Sequence, residues 1–313
     1  MKKIIHNGYF LSNIFLKNLK NKDYEIIEFV NKNKNKNKLY NHLLGFIYLF
    51  MTIIYKKTLY VCCNKKKDDV ILFSIDEIEL LPYLVWKYRK SKNISLWLWN
   101  PTIKLLKNKY ERSLYIYMLK ITNISIWTFD ANDAKKYFFN YHPQIYSKSL
   151  VNDYKHSGLL EYDILFIGHD KNRLKELKKI KEKLNLFDLK TFLYIIPDNN
   201  KVYSIEDKKL MQEKILSYDE VLKLISKSKC IIDLVQSGQE GASLRELEAL
   251  FFNKKLISNR VNIDKSFSDK NILSLENFYD NPKIIKSFLN SEHQQNSNIE
   301  KNDIEYLIKR IFN

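Results

Sequence analysis

Apolar runs and helical spacings alternate along this chain from one end to the other. In the first half, "KKIIHNG" is a short apolar run ending at a glycine turn, and "YFLSNIFLKNLKN" follows with helical spacing. "DDVILFSI" reads as a strand, "DEIELLPYLVWKYRKS" as a helix, "NISLWLWNP" as a strand stopped by proline, and "NISIWTFD" as a fourth strand. These strand runs are continuous rather than alternating in polarity, which marks a parallel sheet covered on both faces.

The periodicity lapses around residues 143–160, and a second series begins. "DILFIGHD" is a strand, "KNRLKELKKIKEKLNL" a charged amphipathic helix, "LKTFLYII" a strand, "SYDEVLKLISKS" a helix and "KCIIDLV" a strand. "QSGQEGASLRELEALFF" then passes from a glycine-punctuated loop into a helix, ahead of the strand "KKLISN". This order predicts an α/β chain of two Rossmann-like doubly wound domains facing a cleft, residues 1–155 and 156–313. The helical "NDIEYLIKRIFN" can pack back on the first domain.

A length of 313 residues with 45% hydrophobic content is enough for two ordinary cores. The net charge of +17 attracts phosphates, whether on nucleic acid, anionic lipid or nucleotide ligands. Lysine, asparagine and isoleucine are abundant throughout, so part of that charge is compositional background. Cys62, Cys63 and Cys230 show neither a disulfide framework nor metal-ligand spacing with the histidines, which points to a reducing cytoplasm. Cys230, beside an apolar strand, reads as a buried thiol. "MKKIIHNGYF" has too short an apolar run for a signal peptide. "LLGFIYLFMTIIY" (Leu43 to Tyr55) falls short of the roughly 20 residues that span a bilayer. It is a buried core helix or, with lysines on both sides, an interfacial one on an anionic membrane.

Ligands of open parallel sheets bind beyond the carboxyl ends of the strands. Gly8, Gly168, Gly238 and Gly241 all stand where a strand hands over to a helix. A helix beginning near Lys171 would aim its N–H groups and dipole at an anion, with His169, Lys171 and Arg173 beside it; a diphosphate suits such a place. Glu240, at the start of the next such helix, is a cap or a ligand group. Glu248 lies about 12 Å farther along that helix, too far to share one metal ion with it. Leu244, Leu247 and Phe251 form its buried side and leave both carboxylates on another face. Two separated carboxylates suit the hydroxyls of an elongated ligand such as a nucleotide sugar. In the first half, Gly8, Asn100 and Asp130 stand at strand ends, with Asp130 either a helix cap or a catalytic base.

"EGASLRELE" resembles the E-x7-E motif of retaining glycosyltransferases of the GT-B fold, and "ISLWLWNP" and "ISIWTFDANDAKKY" are similar to the N-terminal halves of bacterial transferases of lipopolysaccharide and capsule biosynthesis. The resemblance implies that Glu240 contacts the transferred sugar and Glu248 the ribose. It places Gly168, Lys171 and Arg173 at the diphosphate; His169, Gln236, Gly238, Gln239, Gly241, Ser243 and Arg245 complete the expected donor-binding set, and Gly8, Asn100 and Asp130 the acceptor side. The implied catalytic set is Glu240, Arg173 and Lys171, with the partners a nucleotide-sugar donor and a glycan or lipid-linked acceptor, and no nucleic acid. Gln236, Gln239 and Arg245 depart from the common "EGFG" loop, and both retention and inversion stay open. No D-x-D follows a strand, so neither metal nor cofactor is expected. The rival readings are a basic nucleic-acid-binding protein and a non-catalytic scaffold of the same fold.

Overall fold

The continuous apolar runs pair as two all-parallel sheets, one of six strands and one of five, in a computed structural model of the chain. The structure describes all residues except 18, 20–22, 30–37, 60–66, 76, 79, 155–158 and 236–240. Most of the "NKNKNKNK" tract, Cys62, Cys63, Gln236, Gly238, Gln239 and Glu240 therefore lie outside the described residues.

The chain divides into two compact units, residues 1–144 with 304–313, and residues 145–303. The first contains β1 (Lys2–His6), α1 (Phe10–Lys17), β2 (Tyr24–Glu28), α2 (Lys38–Ile54), β3 (Asp69–Phe73), α3 (Leu80–Lys87), β4 (Asn93–Leu98), α4 (Lys109–Ile121), β5 (Ser125–Thr128), α5 (Ala131–Tyr137) and β6 (Asn140–Tyr141). Its strand order is β2-β1-β3-β4-β5-β6. Ile4 sits between Ile26 of β2 and Ile71 of β3, so the apolar runs meet in register. Ile4, Ile5, Ile71, Leu72 and Leu96 are fully buried, as strands covered on both faces require.

The second unit holds α6 (Lys148–Asn152), β7 (Tyr162–His169), α7 (Leu174–Leu184), β8 (Thr191–Ile196), α8 (Ile205–Lys208), α9 (Tyr218–Ser226), β9 (Ser228–Asp233), α10 (Leu244–Phe251), β10 (Lys255–Ser258), β11 (Ile272–Ser274), α11 (Leu275–Asp280) and α12 (Ile284–Asn290). Its order is β11-β10-β9-β7-β8. Leu174, Leu177, Ile180 and Leu184 are the buried stripe of α7, and its lysines point outward. α9 begins at a capping box in which Ser217 and Glu220 satisfy each other's backbone N–H groups. Cys230 is a free thiol buried in this core.

α13 (Ile304–Phe312) belongs with the first unit. There Phe312 stacks on Tyr24, Tyr306 meets His142, and Arg310 donates to the Tyr141 carbonyl and covers Trp127.

Three strands were not expected from the sequence: β2, β6 and β11. α2 also differs from a buried core helix. Leu49 and Thr52 are buried, whereas Leu43, Ile47, Phe50 and Ile54 face outward. No helix among the described residues is long and apolar enough to cross a membrane.

Candidate functional site

In the second unit, β8 and β9 lie on opposite sides of β7, so the chain reverses direction across the sheet between β7 and β9. Beyond the carboxyl ends of those two strands lies the crevice in which such sheets hold ligands. Gly168, His169, Arg173, Ser243, Arg245 and Glu248 converge there.

The turn after β7 is built around Asp170, whose fully buried carboxylate accepts from Leu174 N–H at 2.7 Å, Lys201 Nζ at 2.6 Å and the Tyr203 hydroxyl at 2.9 Å. Burial pushes this carboxyl up, but the three donors more than offset it and its pKa falls below the usual value. Lys171 and Asn172 follow in the left-handed region, at φ of 42° and 64°. The Lys171 N–H donates to Asp198 at 2.8 Å and so anchors the turn to the end of β8. The helix therefore starts at Leu174, not near Lys171, and Arg173 occupies its N-cap position.

Arg173 spends its guanidinium on backbone carbonyls. It donates to Asp170 O at 3.1 Å, to Leu234 O at 2.8 Å and to His169 O. One fork thus ties the end of β7 to the end of β9. Gly168 makes room for it, since a Cβ there would lie 3.1 Å from Arg173 Nη2.

Asp233 ends β9 with its carboxylate buried, accepting from Ser243 Oγ at 2.7 Å. Burial raises its pKa, and Ser243, Arg260, Arg245 and Arg173 pull it down only in part. Ser243 in turn accepts from Glu246 N–H and is the N-cap of α10. α10 thus begins at Leu244, and Ser243 holds the N-cap position expected for Glu240. Gly241, at φ of 80°, offers its carbonyl to Arg260 at 2.6 Å.

Both carboxylates on α10 are fully buried, which corrects the expectation that Glu248 lies on a face apart from the core. Glu248 accepts from the Tyr218 hydroxyl at 2.9 Å and from Arg245; Tyr218 and Tyr146 hydroxyls are 3.0 Å apart behind it. Burial raises the Glu248 pKa, with Arg245 and Tyr218 opposing. Arg245 Nε also donates to Ile167 O at 3.2 Å, joining α10 to β7. Glu246 accepts from Arg260 at 2.6 Å and from Asp264 N–H at 2.7 Å, and burial pushes its pKa up to about 7. Next to this cluster, beyond β10 and β11, a cavity of about 980 Å³ is lined by Asn259, Arg260, Asp264 and Lys265, among others.

Of these residues, Asp170, Lys201, Tyr203, Asp233, Glu246 and Arg260 were missed in the sequence. The strand-end rule could have found Asp170 and Asp233, each at the close of an apolar run.

In the first unit the three expected residues also end strands. Gly8, at φ of 75°, follows β1, and its N–H donates to His6 Nδ1 at 3.3 Å. A Cβ at Gly8 would meet Glu28 Oε1 at 2.5 Å. Asp130 caps α5 by accepting from Asp133 N–H at 2.8 Å. Asn100 lies in the bend after β4.

No family model and no curated protein sequence matches the chain. Among solved structures, "OtsA apo structure" superposes with a TM-score of 0.56 at 11% identity, over 99% of this chain and 98% of that one. An "alpha-glucosyltransferase in complex with UDP and a 13-mer DNA containing a central A:G mismatch" gives 0.56 at 14% identity, over 100% and 98%. The two parallel sheets, of six and five strands, are those of the GT-B fold.

Proposed function

We propose that the chain is a glycosyltransferase that moves a sugar from a nucleotide-sugar donor to a glycan or lipid-linked acceptor. The observation that supports this reading best is the cluster at the β7–β9 reversal, in a fold shared with an alpha-glucosyltransferase that holds UDP. The adjoining cavity, about 980 Å³, is of the size that small-molecule sites occupy.

Within this proposal the donor diphosphate lies at the turn after Gly168 and His169, beside Lys171, and Glu240 with the loop of Gln236, Gly238, Gln239 and Gly241 meets the sugar. Arg173 acts by holding the two strand ends together. Glu248, expected at the ribose, is engaged instead with Arg245 and Tyr218, so it serves to position Arg245, the more exposed of the pair. Arg245 then stabilises the departing diphosphate, and the rate gain comes from positioning and charge stabilisation. A bacterial surface polysaccharide (lipopolysaccharide, O-antigen or capsule) is the acceptor class suggested by the N-terminal segments.

A thermal-shift series with nucleoside diphosphates and nucleotide sugars tests the proposal. A ligand bound only by the folded chain at a hundred times its Kd adds about 2.7 kcal/mol to stability. One nucleotide should raise Tm in the native protein and not in Arg245→Ala. A flat response to every nucleotide, with DNA binding that falls steeply with salt, would replace the proposal by the nucleic-acid reading that the charge of +17 allows.

A further inference from the structure

α2 is apolar on two opposite faces, and only one of them is used by the fold. The inner face carries Leu49 and Thr52, both fully buried, and Gly45, where a Cβ would meet Ile78 O at 2.6 Å. The outer face carries Leu43, Ile47, Phe50 and Ile54, exposed by 59%, 43%, 59% and 44%. Their spacing of four, three and four residues puts them in one stripe along the helix. α4 continues the surface: His42 of α2 lies 3.1 Å from Glu111 of α4, and α4 exposes Tyr110, Leu114 and Tyr117. Scattered exposed apolar residues are ordinary, but a continuous stripe on a helix marks an interaction surface.

Charge selects the occupant. Between Phe29 and Lys67 the sequence has no acidic residue, while lysines fill the "NKNKNKNK" tract before the stripe and the "KK" and "KKK" runs after it. Two copies of the chain meeting on this face would bring like-charged tracts together, at a cost in repulsion. An anionic surface meets both requirements, since an apolar stripe enters the acyl boundary while flanking lysines stay among the headgroups. No described helix is suited to cross a bilayer, so the contact lies in its plane.

We propose that the outer face of α2, extended by Tyr110, Leu114 and Tyr117, is a docking surface for an anionic phospholipid bilayer. This does not depend on glycosyl transfer, although it would bring a lipid-linked acceptor to the protein.

Co-sedimentation of the full chain with vesicles of phosphatidylcholine, alone or mixed with phosphatidylglycerol, tests it. The native chain is expected to pellet with the mixed vesicles, more weakly as salt rises, and poorly with phosphatidylcholine alone. Ile47→Glu/Phe50→Glu should weaken binding about tenfold or more by removing apolar contact. Lys56→Gln/Lys57→Gln should weaken it about fivefold per charge. Melting curves should be preserved, because the altered side chains are exposed; Phe50→Ser serves as a milder substitution if the double glutamate melts early. The proposal is overturned if the native chain ignores mixed vesicles at low salt, or if both apolar variants bind them as well as the native chain. It is equally overturned if these substitutions instead dissolve a concentration-dependent dimer that has no affinity for vesicles.

Discussion

Arg245 and Glu248 stand one turn apart on α10, and the guanidinium closes on a carboxylate that has no exposed surface. Removing one member of a buried ion pair strands the other. Arg245→Ala is therefore expected to cost about 3–5 kcal/mol, and Glu248→Gln, which keeps an acceptor for Tyr218, clearly less. Urea unfolding of both single variants and the double variant measures the coupling. Equal costs for the two single changes would show that the charge on Glu248 is not what Arg245 answers.

Gly168 and Arg173 provide a second coupled pair. Arg173 is held by three carbonyls and has little freedom to yield, so the methyl of Gly168→Ala, 3.1 Å from Nη2, should destabilise by about 1 kcal/mol. In an Arg173→Ala background the same methyl should cost almost nothing. Arg173→Lys should not rescue, since an ammonium cannot reproduce the planar fork, and a loss of about 2–4 kcal/mol is expected from it. Thermal unfolding of this four-member set reads the outcome directly.

His142 makes the stability of the first unit depend on acid. Burial, with Arg310 nearby, lowers its pKa from 6.5 to about 4, although the Pro143 carbonyl, 2.7 Å from Nδ1, pulls the other way. The unfolded chain therefore binds the extra proton between pH 6.5 and 4, so stability is full above 6.5 and falls as pH drops toward 4. The loss is about 3 kcal/mol at the acid end. All four tryptophans (Trp86, Trp97, Trp99 and Trp127) belong to this unit, so tryptophan fluorescence follows it alone. His142→Phe should flatten the slope.

Glu246 imposes the opposite trend on the second unit. Burial lifts its folded pKa from the ordinary 4.5 to about 7, so the folded state holds the proton more tightly. The stability it contributes is complete below 4.5 and is lost as pH rises through 7, by about 3 kcal/mol. Calorimetry of Glu246→Gln across that range should show a flatter profile, whatever the absolute stability of the variant. An unchanged slope would assign the dependence to other groups.

The α/β architecture was legible because β1, β3, β4, β5 and β7 to β10 are apolar on both faces, and such runs announce themselves. β2 escaped because it is an edge strand, "YEIIE", largely exposed along its length, and β6 and β11 because they are only two and three residues long. The cap at Asp130 was readable from its place before a helix. The burial of Glu246 and Glu248 was not, because helical spacing assigns carboxylates to water unless their partners are known. Two of those partners, Arg260 and Tyr218, lie outside α10. Likewise, the proposed phosphate role of Arg173 came from sequence proximity, whereas its carbonyl partner at Leu234 is 61 residues away.

α13 gives the first unit an order of assembly. Its residues Ile304, Leu307 and Ile308 are buried, yet they emerge from the ribosome only after the whole of residues 145–303 has been made. The second unit, continuous in sequence, can complete its sheet during synthesis. The first must wait with the surface around Tyr24, Tyr141 and His142 unfinished. Chains truncated after residue 303 should therefore carry a protease-resistant second unit and a first unit that is still open to cleavage.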